Sequence, residues 1–209
     1  MANANQKKFV DKMGQLKIKL PSIKGINLNL LPEGDLSVKQ FLGESIPEKL
    51  SLFALNYGTG NFTALAFYEQ EMADILPRVT KEVFINGLTI SHSCLQTVFK
   101  GSANADRLIF RRCKIDTEAD LDFSGPDYKT SYISFALTGH SSFSKWVSPW
   151  AAFRKVAETM GRTSLKATLK TINVHRCTIG IAEAKQIMAD SGFNNVEVID
   201  NGDDVPLKQ

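Results

Sequence analysis

An α/β fold built as a short solenoid, with a parallel β-sheet on its concave side and helices on its convex side, is what this sequence predicts. Three observations predict it. The pattern apolar-x-apolar-x-x-apolar-x-apolar recurs along the chain, the recurrences are nearly evenly spaced, and between them the apolar spacing changes from every second residue to every third or fourth. Period two marks a strand with one buried side and period 3.6 marks an amphipathic helix, so a regular exchange of the two marks stacked strand-and-helix units. Such a unit is too thin to hide its own apolar side, and its neighbour completes the core.

The clearest copies are EVFINGLTI (Val83, Ile85, Leu88, Ile90), RLIFRRCKI (Leu108, Phe110, Cys113, Ile115) and TINVHRCTI (Ile172, Val174, Cys177, Ile179). YISFALTGH is weaker: Ile133 and Phe135 fit, but Thr138 and His140 take the later apolar places. VEVID is a partial copy aligned on Val196. First positions from Val83 to Leu108, Ile133, Ile172 and Val196 lie 25, 25, 39 and 24 residues apart, and the long interval reads as one insertion into a regular array. Between copies, Cys94, Leu95, Val98 and Phe99 outline one returning helix, and Ile181, Ala184, Ile187 and Met188 outline another that ends at Asp190-Ser191-Gly192. Upstream, LSLFALNY (50–57) reads as a strand aligned on Phe53, between a helix-like SVKQFLGE and an apolar stretch from Phe62 to Leu76. GINLNLL (25–31) reads as a capping strand, and residues 1–24 as a basic arm outside the 25–209 body.

A chain of 209 residues that is 43% hydrophobic and 22% charged can bury a core and is not of disordered composition. Its net charge of +3 is unevenly placed. The arm holds Lys7, Lys8, Lys12, Lys17, Lys19 and Lys24 against Asp11 alone, a local +5, which leaves −2 for the rest. A near-neutral body with one lysine arm does not favour nucleic acid, which needs many phosphate contacts; the arm could also dock on an acidic partner surface. No apolar run approaches the roughly 18 residues of a membrane span, and Met1 to Lys8 lack a secretory apolar block. The expected compartment is intracellular: the cytoplasm, with the mitochondrion as alternative because the arm is acid-poor, although no arginine precedes Arg78. Cys94, Cys113 and Cys177, odd in number and without a CxxC pair, suit buried small hydrophobes better than disulfides or a zinc site.

The spacing in RLIFRRCKI and INVHRCTI resembles the core of leucine-rich repeats, with cysteine at the ladder position, and is similar to the cysteine-containing and ribonuclease-inhibitor-like subtypes. ILPRVTKEVFINGLTISHSCL, DTEADLDFSGPDYKT and SLKATLKTINVHRCTI resemble segments of the expanded leucine-rich-repeat proteins of ciliates, over about residues 36 to 200. The resemblance implies the horseshoe fold and no activity. Leucine is often replaced by Val, Ile or Phe, and most of the asparagine ladder is missing.

Residues alternating with the buried ones face the concave side, so the pattern names three columns. They are Glu82, Arg107, Tyr132, Thr171 and Asn195; Phe84, Ile109, Ser134, Asn173 and Glu197; and Asn86, Arg111, Ala136, His175 and Ile199. The candidate partner surface is Phe84, Asn86, Arg107, Ile109, Arg111, Tyr132, Asn173 and His175, an apolar spot ringed by groups common at protein interfaces. The alternative is that a neighbouring segment, such as the arm, covers Phe84 and Ile109. The insertion at about 140–165 holds Trp146 and Trp150 around Pro149, either as a binding loop or as a lid packed back on the body.

Converging catalytic groups are hard to find. His92, His140 and His175 are the only imidazoles; SHSC around His92 reads as a turn, GTG at 58–60 lacks a phosphate-loop lysine, and the carboxylates from Asp116 to Asp127 lack the EF-hand glycine and glutamate. No cofactor or metal is expected, and an enzyme is the class least favoured. The expected function is a non-catalytic protein-protein interaction or scaffold module, a subunit of a larger assembly. A ubiquitin-ligase substrate adaptor is an alternative that needs an F-box-like helix pair, which residues 1–49 do not convincingly supply. An RNA- or ribosome-associated protein is another, using the arm with Arg107, Arg111, Arg112, His175 and Arg176.

Overall fold

In the computed structural model the described residues are 24–30, 47–54, 63–115, 119–136, 149–175 and 179–202. Ten strands occur among them: β1 Gly25–Leu30, β2 Lys49–Ala54, β3 Thr63–Ala64, β4 Glu82–Asn86, β5 Leu88–Ile90, β6 Arg107–Arg111, β7 Lys114–Ile115, β8 Tyr132–Ala136, β9 Thr171–Asn173 and β10 Glu197–Ile199. The helices are α1 Glu69–Ile75, α2 His92–Gly101, α3 Pro149–Met160, α4 Leu165–Thr168 and α5 Ile181–Asp190. None of the described helices is long and apolar enough to cross a membrane.

Seven strands form one sheet in the order β1-β2-β4-β6-β8-β9-β10, which is chain order, and every pairing is parallel. The register lines up Ile26, Leu50, Val83, Leu108, Ile133, Ile172 and Val198. All seven are buried, so a strand slipped by one residue would turn this row out of the core. The second apolar half of the motif builds a separate three-stranded parallel sheet, β3-β5-β7. Between the two strands of a rung the chain turns through the left-handed region, at Gly87 (φ 73°) and at Arg112 (φ 53°). Both corner amides reach the next rung, Gly87 N–H to Arg111 O at 3.0 Å and Arg112 N–H to Ala136 O at 2.9 Å.

Helices close the inward side of the large sheet. Helix α2 starts at Ser91, whose Oγ accepts the Cys94 N–H at 3.3 Å, and buries the expected stripe Cys94, Leu95, Val98 and Phe99. Helix α5 buries Ala184, Ile187 and Met188. It stops where Gly192 (φ 89°) donates to Ala189 O and Phe193 N–H donates to Met188 O, which satisfies carbonyls that the helix end leaves open. Helix α3 turns Phe153, Val156, Ala157 and Met160 inward. An aromatic stack threads the centre: Phe123 against Phe99 at 4.1 Å, Phe99 against Phe110 at 5.9 Å, Phe110 against Phe135 at 5.3 Å, and Phe153 edge-on to Phe135 at 6.1 Å.

Four expectations are corrected. The last rung registers on Val198 rather than Val196, so Glu197 stands beside Thr171 and Ile199 beside Asn173, while Asn195 precedes the strand. Both valines lie on one face of an alternating segment, and Val198 is the one buried in line with Ile172, with Val196 packed only partly against the core. The upstream strand aligns on Leu50 rather than Phe53, because Leu50, Leu52 and Ala54 point inward and Phe53 falls on the opposite side. No helix returns between β6 and β8 among the described residues; Leu121, Phe123 and Tyr128 of an extended segment fill that place, with Tyr128 O–H donating to Phe123 O at 2.7 Å. His92 opens α2 instead of lying in a turn. The arm up to residue 23, SVKQFLGE, GTG at 58–60, Asp116, Glu118, Thr138, His140, Trp146, Arg176 and Cys177 lie outside the described residues.

Candidate interaction face of the sheet

The sheet side turned away from the helices carries three cross-strand rows. The first runs Lys49, Glu82, Arg107, Tyr132, Thr171 and Glu197 in direct register. Parallel neighbours lie about 4.8 Å apart, so alternating charges on this row meet without any long reach. Glu82 is buried, Arg107 Nη1 lies 3.4 Å from its Oε2, and the Arg107 guanidinium sits 4.6 Å over the Tyr132 ring. A carboxylate this far from water needs its cation, and the aromatic face beneath the guanidinium adds a second attraction. Strands β4, β6 and β8 thus place an acid, a base and a π-face side by side from positions 25 residues apart.

The middle row is Ser51, Phe84, Ile109, Ser134, Asn173 and Ile199. Phe84 is 1% exposed and Ile109 and Asn173 are 0% exposed, so the apolar spot expected at the surface is covered. The Phe53 ring lies 5.7 Å from that of Phe84. Neither Phe84 nor Ile109 joins the core cluster that the helices close. The third row runs Phe53, Asn86, Arg111 and Ala136. Of the expected surface residues, Asn86, Arg107, Arg111, Tyr132 and His175 are half-buried and form the accessible rim, whereas Phe84, Ile109 and Asn173 do not reach solvent. Trp150 falls within α3, and its side chain lies outside the described residues.

At the C-terminal edge Asn173 holds the last rung. Its Nδ2 donates to Asn201 O at 2.8 Å, and its Oδ1 accepts from Asn201 N–H at 3.0 Å and His175 N–H at 3.2 Å. His175 Nδ1 pairs with Asp200 Oδ1 at 2.5 Å. Asp200 and Asn201 were not predicted, because aligning the last copy on Val196 displaced them from their neighbours; taking Val198 as the inward residue puts both beside residues 173–175. Lys49, Ser51 and Phe53 were missed for the same reason at the other end.

The described thiols are built for packing. Cys113 Sγ donates to Ile85 O at 3.3 Å and to Arg111 O at 3.4 Å, and burial pushes its pKa up to about 12. Burial likewise pushes Cys94 up to about 11, with the Glu69 carboxylate, which accepts from its Sγ at 3.4 Å, adding to the rise. A reactive thiol needs the opposite shift. In the acidic segment, Asp122 is held well below the usual carboxylate range by the Lys100 ammonium at 2.8 Å and by Ser124, and Asp120 pairs with Lys155 at 3.3 Å. Among the described residues no three His, Cys, Asp or Glu side chains gather as metal ligands would.

Comparison with known proteins finds no matching family model, no matching curated protein and no matching solved structure. The described residues show an α/β architecture with a parallel seven-stranded sheet.

Proposed function

We propose that this chain is a leucine-rich-repeat-like solenoid, non-catalytic, that binds another protein through the rim of its sheet face as a subunit of a larger assembly. The carrying observation is the set of straight cross-strand rows, which gather Arg107 and Tyr132, and Asn86 and Arg111, onto one surface from rungs distant in sequence, with the buried Glu82 beside Arg107. Arginine and tyrosine are, with tryptophan, the side chains enriched among the energetic anchors of interfaces, and here a shared sheet holds them in fixed order. The thiol of Cys113, bonded to the carbonyl of the preceding rung, fits the cysteine-containing subtype of such repeats. Residence in the cytoplasm is part of this reading and agrees with the buried free thiols of Cys94 and Cys113.

The test is affinity capture with cross-linking from cells of the source organism, using the full chain and its Arg111→Glu and Tyr132→Ala variants, with Arg162→Glu as an exposed control elsewhere. One stoichiometric protein partner should be lost with the first two variants, by about 30-fold or more for an anchor of about 2 kcal/mol, and kept with the control. Equal capture by all four proteins, or cross-links that avoid residues 82–86, 107–111 and 132–136, would overturn the reading.

A further inference from the structure

We draw no further inference here: the strongest candidate, the buried apolar pair Phe84 and Ile109 in the middle row of the sheet face turned away from the helices, carries nothing because, apart from Phe53 against Phe84, nothing in the described structure shows what covers it.

Discussion

Truncating Phe110 to alanine probes the stack that joins the helices to the sheet. Phe110 is 0% exposed, and its ring lies between Phe135 at 5.3 Å and Phe99 at 5.9 Å. Removing a buried phenylalanine side chain costs about 3–5 kcal/mol, with the higher values where the surroundings cannot collapse into the void. Here each neighbouring ring is already pinned on its far side, Phe99 by Phe123 and Phe135 by Phe153, so collapse is restricted. Two aromatic pairs are lost as well, each worth about 0.5–1.5 kcal/mol beyond burial. The expected loss is about 4–5 kcal/mol. For a domain of this size each kcal/mol moves Tm by about 2–4 °C, so thermal unfolding followed by circular dichroism should shift down by at least about 8 °C. Phe110→Leu, which keeps most of the volume, should lose less than half as much. A fall of under 3 °C for the alanine variant would refute the stack as a central support.

Two further substitutions and one thiol-alkylation test follow from geometry and burial. A methyl group at Gly161 would sit 2.1 Å from the Ser191 carbonyl oxygen, a backbone atom that cannot swing aside, so Gly161→Ala should cost about 3 kcal/mol in urea unfolding; an unchanged midpoint would mean that α3 and α5 separate freely at that end. Arg112 takes a left-handed conformation (φ 53°) that costs an L-residue about 1–2 kcal/mol, while glycine loses about 0.5–1 kcal/mol more chain entropy on folding. Arg112→Gly should therefore stabilise by about 0.5–1 kcal/mol, and a loss of stability would show that the contacts of the arginine side chain outweigh the backbone strain. With its pKa raised from 9.0 to about 12, Cys113 should resist alkylation at pH 8 in the folded chain and react at once in denaturant. Because the folded-state value is the higher one, the stabilisation from keeping this thiol neutral is complete below pH 9.0 and is lost as pH rises from there towards 12; a folded chain that alkylates as fast as the denatured one would contradict the burial.

The strands were legible wherever two apolar residues alternate without ambiguity. Val83 and Ile85, Leu108 and Phe110, and Ile133 and Phe135 each offer one inward face, and register follows because a one-residue slip would expose it. The ends were harder for the same physical reason: a shift of two residues preserves the face, so VEVID could align on Val196 or Val198, and only the packing against Ile172 decides. LSLFALNY contains both a buried alternation, Leu50 and Leu52, and an outward Phe53, and hydrophobicity alone does not say which apolar residue belongs to which side. The segment between β6 and β8, which holds no helix among the described residues, is a second case: Leu121, Phe123 and Tyr128 fill the space a helix would take, and their intervals of 2 and then 5 residues follow no single strand or helix period. The candidate face was legible as rows of residues and illegible as a surface, since burial of Phe84 and Ile109 depends on tertiary cover that no local pattern encodes.

The most direct measurement is of methyl-methyl nuclear Overhauser contacts in a chain labelled at Ile, Leu and Val. Successive contacts should run Leu50 to Val83, Val83 to Leu108, Leu108 to Ile133, Ile133 to Ile172 and Ile172 to Val198, each between adjacent rungs about 4.8 Å apart. A contact that skips a rung, such as Leu108 to Ile172, or one that joins Ile172 to Val196 in place of Val198, would contradict the ordered parallel sheet on which the rows depend.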